Sequence, residues 1–111
     1  MSQLISASQK EAANVAFCFS HPVRLIILEC LSTDGKTRFM HVQRRLNLAV
    51  ATVFQHLAIL CNANLVVEID DATDKRMCFY ALTEDGRNEC EKIIQILREI
   101  EDGLKDRMPT E

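Results

Sequence analysis

The chain has only three glycines, no CxxC pair and no two histidines spaced for metal-assisted hydrolysis. A phosphate-cradling loop needs clustered glycines, and hydrolytic metal sites on helices need paired histidines. Nor does any nucleophile have a base at helical spacing. The sequence therefore predicts a protein that is not an enzyme, and it indicates neither a cofactor nor a metal centre.

Long apolar runs are also missing, since none approaches the roughly 18 to 20 residues that cross a bilayer. Residues 1–9 lack the basic start and apolar centre of a secretory signal. We therefore expect a cytoplasmic protein without a membrane partner. With 111 residues, 48% of them hydrophobic and 26% charged, the composition is typical of one globular domain spanning residues 1–111.

Cysteines are present but do not form a pattern typical of disulfides. Their number is odd and their spacing is wide, which is unlike an extracellular disulfide framework. The five are Cys18, Cys30, Cys61, Cys78 and Cys90. We expect most of them to be buried thiols that pack as small hydrophobic side chains.

Acidic residues are absent between Gly35 and Val67, although the whole chain has a net charge of -3. Four basic residues lie in that stretch, namely Lys36, Arg38, Arg44 and Arg45. Residues 84–111 carry most of the negative charge. The local positive field suits a nucleic-acid partner, and a solvated helix face is the simpler alternative.

The segment from Leu46 to Leu60 has the pattern of a helix-turn-helix. Leu46 closes one apolar helical stripe, and Leu48 falls in a short turn. Val53, Leu57 and Leu60 then recur at the i, i+4 and i+7 positions of a second helix with one buried face. The opposite face is free to enter the major groove of DNA, where each base pair shows a distinct donor and acceptor pattern. We predict a helix-turn-helix over residues 38–62.

The remaining segments complete a mainly α fold with a small β-hairpin. Ser20, as a cap, and Pro22 mark the start of one helix. Apolar periodicity predicts helices over 3–19, 22–32, 38–46, 50–62 and 84–107, and strands over 65–69 and 76–82. This order, α-α-α-α-β-β-α, is typical of a winged helix-turn-helix with its wing at residues 65–82.

The last predicted helix carries a seam of apolar residues at alternating steps of three and four, which is typical of a coiled coil. Together with residues 1–19 it is predicted to join two copies in a twofold homodimer. The residues assigned to that interface are Ile5, Ala12, Ala16, Cys90, Ile93, Ile94, Leu97, Ile100 and Leu104. The alternative is that the helix packs only on its own domain.

Four segments carry a family resemblance. They are SHPVRLIIL at residues 20–28, TVFQHL at 52–57, LV at 65–66 and FYALT at 79–83. The ordered set, spanning residues 12–100, resembles the ArsR/SmtB family of dimeric winged-helix repressors. The resemblance implies a repressor that occupies an operator as a homodimer and leaves it when a metal ion or a thiol modification changes its shape.

The family's metal ligands do not carry over to this chain. Arg38 and Met40 stand where one family site has cysteines, and Arg87 stands where another has a histidine. Arginine cannot ligate a cation. His21, His41 and His56 are interpreted as a residue near a helix cap, a surface residue and a support of the recognition helix. We therefore predict no metal site.

Thiol sensing is a further possibility that the resemblance raises. Related regulators use one cysteine in the second helix and one in the last, and Cys30 and Cys90 are the candidates here. Neither shows the neighbouring cation or helix N-terminus that lowers a thiol pKa. Packing in the core is the competing interpretation.

The predicted recognition helix starts without a capping side chain, because Ala49 replaces the usual serine at a cost of about 0.5 to 2 kcal/mol. Thr52 and Gln55 are able to bond base edges, and apolar neighbours suit thymine methyls, which predicts an A·T-rich operator. The residues predicted to contact DNA are Arg38, Arg44, Arg45, Val50, Ala51, Thr52, Phe54, Gln55, His56, Lys75 and Arg76.

Two features of this surface favour other interpretations. An exposed Val50 and Phe54 also fit a protein-interaction module that has lost its DNA role. In the wing, Asp70, Asp71 and Asp74 would repel phosphate.

Overall fold

The computed structural model describes residues 6–74 and 76–107. Along the chain the elements are α1 (Ala7–Cys18), α2 (Pro22–Asp34), β1 (Thr37–Arg38), α3 (Phe39–Leu46), α4 (Val50–Asn62), β2 (Val66–Asp70), β3 (Cys78–Leu82) and α5 (Glu84–Arg107). The predicted winged helix-turn-helix fold is confirmed. Ile5 and Lys75, assigned above to the interface and to the DNA contacts, lie outside the described residues.

Local hydrogen bonds explain where the first two helices begin. Ser6 and Gln9 form a reciprocal capping box at α1, because each side chain bonds the other residue's backbone N–H. The prediction that Ser20 caps α2 is wrong. His21 Nδ1 accepts the Val23 N–H at 3.1 Å, whereas the Ser20 hydroxyl donates to the carbonyl of Phe17. Pro22 occupies the first turn of α2, where its missing N–H costs nothing.

The sheet has three antiparallel strands in the order β1-β3-β2 rather than the two that were predicted. In β2 and β3, Val66 pairs with Leu82 and Asp70 with Cys78. β1 adds two residues, and Arg38 lies opposite Phe79. Since β1 runs directly into α3, that helix begins at Phe39 and not at Arg38.

One core joins the helices to the sheet. It is built from Ile27, Leu28 and Leu31 of α2, the buried face of α4, and side chains of the wing. Cys90 belongs to this core at 1% exposure. Its assignment to a subunit interface is therefore wrong, since its side chain is already covered within one copy. Ile93 and Ile94 also pack partly against this core.

α5 lies very close to the start of the wing. Gly86 faces the backbone of Leu65, and a Cβ built on Gly86 would overlap the Leu65 carbonyl oxygen. The same carbonyl accepts the Thr83 N–H at 3.0 Å. The junction between α5 and the wing therefore depends on the absence of a side chain at position 86.

No single helix within residues 6–74 and 76–107 has the length and apolar composition to cross a membrane, and only the pair α1 and α2, bent by 88°, meets both criteria together.

Candidate nucleic-acid interface

The turn between α3 and α4 is tightly held. Asn47 ends α3 in the left-handed conformation with a φ of 53°. The Gln43 side-chain amide donates to the Leu48 carbonyl at 2.8 Å, and Leu46 and Leu48 pack against the core as predicted. Ala49 provides no side-chain cap for α4. These contacts fix the angle between the two helices of the predicted helix-turn-helix.

α4 has the two faces that its periodicity predicts. Val53, Leu57 and Leu60 are at most 1% exposed. Ala51 and Gln55 lie exposed on the other side with Val50 and Phe54, while Thr52 is half-buried. An exposed face of this width at the helix N-terminus matches the part of a recognition helix that meets base edges.

An apolar patch extends from the start of α3 onto this face of α4. It consists of Met40, Val50 and Phe54, which are 44%, 46% and 45% exposed. The Phe54 ring stacks on Phe39, with ring centroids 4.2 Å apart and planes 11° apart. This stack ties the start of α3 to the second turn of α4 and leaves the other side of Phe54 in solvent.

Two of the arginines predicted to contact DNA form ion pairs with carboxylates of the same chain. Arg38 bonds the Asp71 carboxylate at 3.1 Å, and its guanidinium lies 4.6 Å from the centre of the Phe79 ring. Hydrogen bonds from Thr73, and then the Arg38 charge, lower the pKa of Asp71 to about 2. Arg38 therefore faces the wing, and Asp71 neutralises it.

At the tip of the wing, an arginine is again paired with a nearby carboxylate. Arg76 lies 3.2 Å from Asp74, although its side chain is otherwise highly exposed. Hydrogen bonds from Arg76 lower the pKa of Asp74. The phosphate contact predicted for Arg76 thus competes with a carboxylate two residues away.

Arg44 and Arg45 occupy the last turn of α3 and are both exposed. Burial and the Asp34 carboxylate raise the pKa of the Cys30 thiol on α2, and the nearby Arg45 charge acts in the opposite direction. Within the described residues, Arg38 and Arg76 pair with carboxylates of the wing, which leaves Arg44 and Arg45 as the arginines of the predicted DNA-contact set that are not engaged with an acidic side chain.

Arg24 on α2, which was not among the predicted functional residues, links the end of α1 to α4. At 3% exposure it donates to the Cys18 carbonyl at 3.2 Å and to the Phe17 carbonyl at 2.8 Å. Its third nitrogen lies 3.3 Å from His56 Nδ1, which accepts from it. The buried face of α2 includes, at positions i, i+3, i+4 and i+7, Arg24, Ile27, Leu28 and Leu31. The spacing of the three apolar residues therefore predicts that position 24 lies on the buried face.

His56 is consequently oriented toward α2. Burial, followed by the nearby His21 and Arg24, lowers the pKa of His56. Its ring centre is 4.6 Å from that of His21. A neutral, half-buried ring in this position supports α4, which is the role interpreted for His56 in place of that of a metal ligand.

The two candidate sensor thiols are both buried at 1% exposure. Burial raises the pKa of Cys30 and raises the pKa of Cys90 to about 11. Reactive thiols are instead accessible and have a lowered pKa. The environment of both side chains is therefore that of core residues, as the competing interpretation held.

Comparison with solved structures gives several matches to the whole fold. A transcriptional regulator homologue from Pyrococcus horikoshii OT3 is 25% identical, with a TM-score of 0.72 over 86% of this chain and 97% of that one. NolR from Sinorhizobium fredii is 28% identical, with a TM-score of 0.64 over 89% and 96%.

A third structure, Mb0332 from Mycobacterium bovis, is 17% identical with a TM-score of 0.70 over 100% of this chain and 99% of that one. It is described as a homodimeric winged helix-turn-helix DNA-binding domain and a possible ArsR-family transcriptional regulator. At this identity the likeness shows the fold alone.

The search of curated proteins finds no match. A family model described as a winged helix DNA-binding domain matches residues 23–100, which include every element from α2 to the middle of α5. The chain belongs to the winged helix DNA-binding domain family.

Proposed function

We propose that the protein is a homodimeric, ArsR-like repressor of transcription that reads double-stranded DNA with α4. The observation that carries this proposal is the exposed N-terminal half of α4, held by a fixed turn on a helix whose other face is buried. That arrangement presents side chains to the major groove.

The chemistry of the exposed face favours A·T base pairs. Gln55 has the donor and acceptor that match adenine N7 and N6. Val50, Ala51 and the free side of Phe54 offer apolar contact to thymine methyl groups. Arg44 supplies positive charge for a phosphate next to this groove. The operator is therefore expected to be A·T-rich at the positions under α4.

A second copy of the chain is supported by apolar side chains left uncovered on α5. Ile96, Ile100 and Leu104 follow one another at steps of four residues and are 53%, 52% and 45% exposed. On α1, Ala12 and Ala16 are exposed beside a groove between α1 and Ile93 of α5. A twofold dimer through these helices would place two α4 helices about 34 Å apart, one turn of DNA.

The DNA role is tested by fluorescence anisotropy with duplexes from the region upstream of the protein's own gene, measured over a salt series. Arg44→Ala should weaken binding to all sequences alike and reduce the slope of log K against log salt by about 1, since one phosphate contact is lost. Gln55→Ala should instead remove about 1 to 3 kcal/mol of discrimination between adenine and other bases.

Lys92→Ala is the matched control for Arg44→Ala, because it removes one exposed positive charge from α5 and not from α3. It should leave both affinity and salt slope close to wild type. If Lys92→Ala and Arg44→Ala weaken binding equally, the contact is a general charge effect and the placement of α4 in the groove is wrong.

The dimer is tested with Ile100→Asp, which places a carboxylate in the centre of the exposed α5 stripe. We expect the wild-type protein to have twice the 12.6 kDa chain mass in solution and the variant to have the mass of one chain. Affinity for an operator duplex should fall at least tenfold, because two half-sites are no longer bound together. Gln95→Asp adds the same charge on another side of α5 and should stay dimeric.

The apolar patch of Met40, Val50 and Phe54 favours a second candidate, an interaction module that binds another protein and not bases. The two functions differ at low salt. A DNA-binding protein gains affinity for any duplex as salt falls, because counterion release drives phosphate contacts. Indifference to duplex DNA at low ionic strength would support the interaction module and refute the repressor.

A further inference from the structure

We propose that the end of α2 and the first turn of α3 form a binding site for a zinc-like divalent cation, with Cys30, Asp34 and His41 as its ligands. One ligand atom from each residue lies within 4.8 Å of the ligand atoms of the other two. This set shares no residue with the positions at which the family resemblance placed metal ligands. It is also independent of whether the protein binds DNA.

The fold explains why these three residues meet. Cys30 and Asp34 are four residues apart on α2, so their side chains lie on the same face of the helix. The chain then reverses at Gly35, whose φ of 72° suits glycine, and returns through β1 into α3. His41, in the first turn of α3, is thereby brought back beside the end of α2.

The observed distances approach those of a tetrahedral zinc site. Asp34 Oδ2 lies 3.5 Å from the Cys30 sulfur and 3.6 Å from His41 Nε2. Zinc bonds of about 2.0 to 2.3 Å in tetrahedral geometry place neighbouring ligand atoms roughly 3.3 to 3.6 Å apart. Two of the three distances between ligand atoms therefore already match this geometry, and the third, between Cys30 and His41, is no longer than 4.8 Å.

The ligand chemistry selects the class of ion. One thiolate, one imidazole and one carboxylate are the three ligand types that zinc takes in proteins, with water completing the fourth position. Calcium and magnesium require mostly oxygen ligands and greater coordination numbers. Binding replaces the S–H···Oδ2 hydrogen bond with a metal–sulfur bond and releases the Cys30 proton to solvent.

Access and charge around the site fit reversible binding. The Cys30 side chain is buried, whereas Asp34 and His41 are exposed, so the site is accessible to solvent from the side of these two residues. Burial and the Asp34 carboxylate raise the pKa of the Cys30 thiol, and the nearby Arg45 charge opposes them. Since Arg45 is itself exposed, it is free to turn into solvent when a metal ion enters.

The site is tested on the full-length, metal-free protein with Co²⁺, whose thiolate bond gives a charge-transfer absorption band, and with Zn²⁺ in competition with a chromophoric chelator. We expect one ion per chain. His41→Ala and Asp34→Asn should each weaken Zn²⁺ binding at least tenfold. Because both side chains are exposed, these two variants should remain folded and carry the test if Cys30→Ala disturbs the core.

Two control variants should leave Zn²⁺ binding unchanged, and a third variant should not weaken it. Cys61→Ala removes a thiol outside the site, and Asp102→Asn removes a surface carboxylate, so both should bind Zn²⁺ like wild type. Arg45→Ala removes the competing cation and should bind at least as tightly as wild type. The proposal is overturned if no Co²⁺–thiolate band forms, if His41→Ala and Asp34→Asn bind like wild type, or if Cys61→Ala abolishes the band.

Discussion

Gly86→Ala is expected to lower the free energy of unfolding by about 3 kcal/mol or more, the upper range for adding a methyl group to a packed site. The new Cβ would overlap the Leu65 carbonyl oxygen and lie 2.8 Å from the carbonyl carbon. Both are backbone atoms, and the hydrogen bond from Thr83 holds this carbonyl in place. α5 must therefore move away from the wing.

The measurement is urea and thermal denaturation at one fixed protein concentration, since dimerisation would make the melting temperature depend on concentration. A change of 1 kcal/mol corresponds to roughly 4 to 8 °C for a domain near this size. Gly103→Ala is the matched control on the same helix, because nothing lies within 4 Å of its added Cβ. It should stabilise the protein by about 0.4 to 1 kcal/mol. Equal melting temperatures for the two variants would refute the packing argument.

Arg24→Met is expected to cost about 2 to 3 kcal/mol of stability. Methionine keeps much of the aliphatic bulk but removes the bonds to the carbonyls of Phe17 and Cys18 and to His56. Hydrogen bonds to a charged group are worth about 1.5 to 3 kcal/mol, and buried acceptors left without donors add to the loss. Ser20 still bonds the Phe17 carbonyl, which limits the cost there.

Two further measurements separate the role of Arg24 from loss of bulk. Arg87→Met changes an exposed arginine of α5 in the same way and should alter stability by no more than about 0.5 kcal/mol. The pKa of His56, followed by NMR, should rise in Arg24→Met, because the Arg24 charge helps to lower it. An unchanged His56 pKa together with wild-type stability would show that Arg24 does not anchor α4.

The sequence predicts most of the fold because the main elements carry strong periodic signals. α4 and α5 have the predicted bounds, since their apolar stripes are long and their ends are marked by turn residues. β1 has only two residues and shows no alternation that a pattern could reveal. It exists because β3 offers a free edge to the chain that leaves α2.

The candidate site was less predictable, because its details depend on partners distant in sequence. Arg38 pairs with Asp71, and Phe54 stacks on Phe39, contacts that residue type alone does not specify. Cys90 fits an apolar seam equally well whether that seam faces its own core or a second copy. Only the packing of the domain distinguishes these cases.

The order β1-β3-β2 leaves β2 at the outer edge of the sheet. Unpaired edge strands offer backbone groups to any neighbouring strand and invite aggregation. β2 is only five residues long, and it carries Glu68 and Asp70 beside the exposed Val67. Like charges on the two edges would repel each other if two wings met side by side, so this strand is protected against self-association during folding and storage.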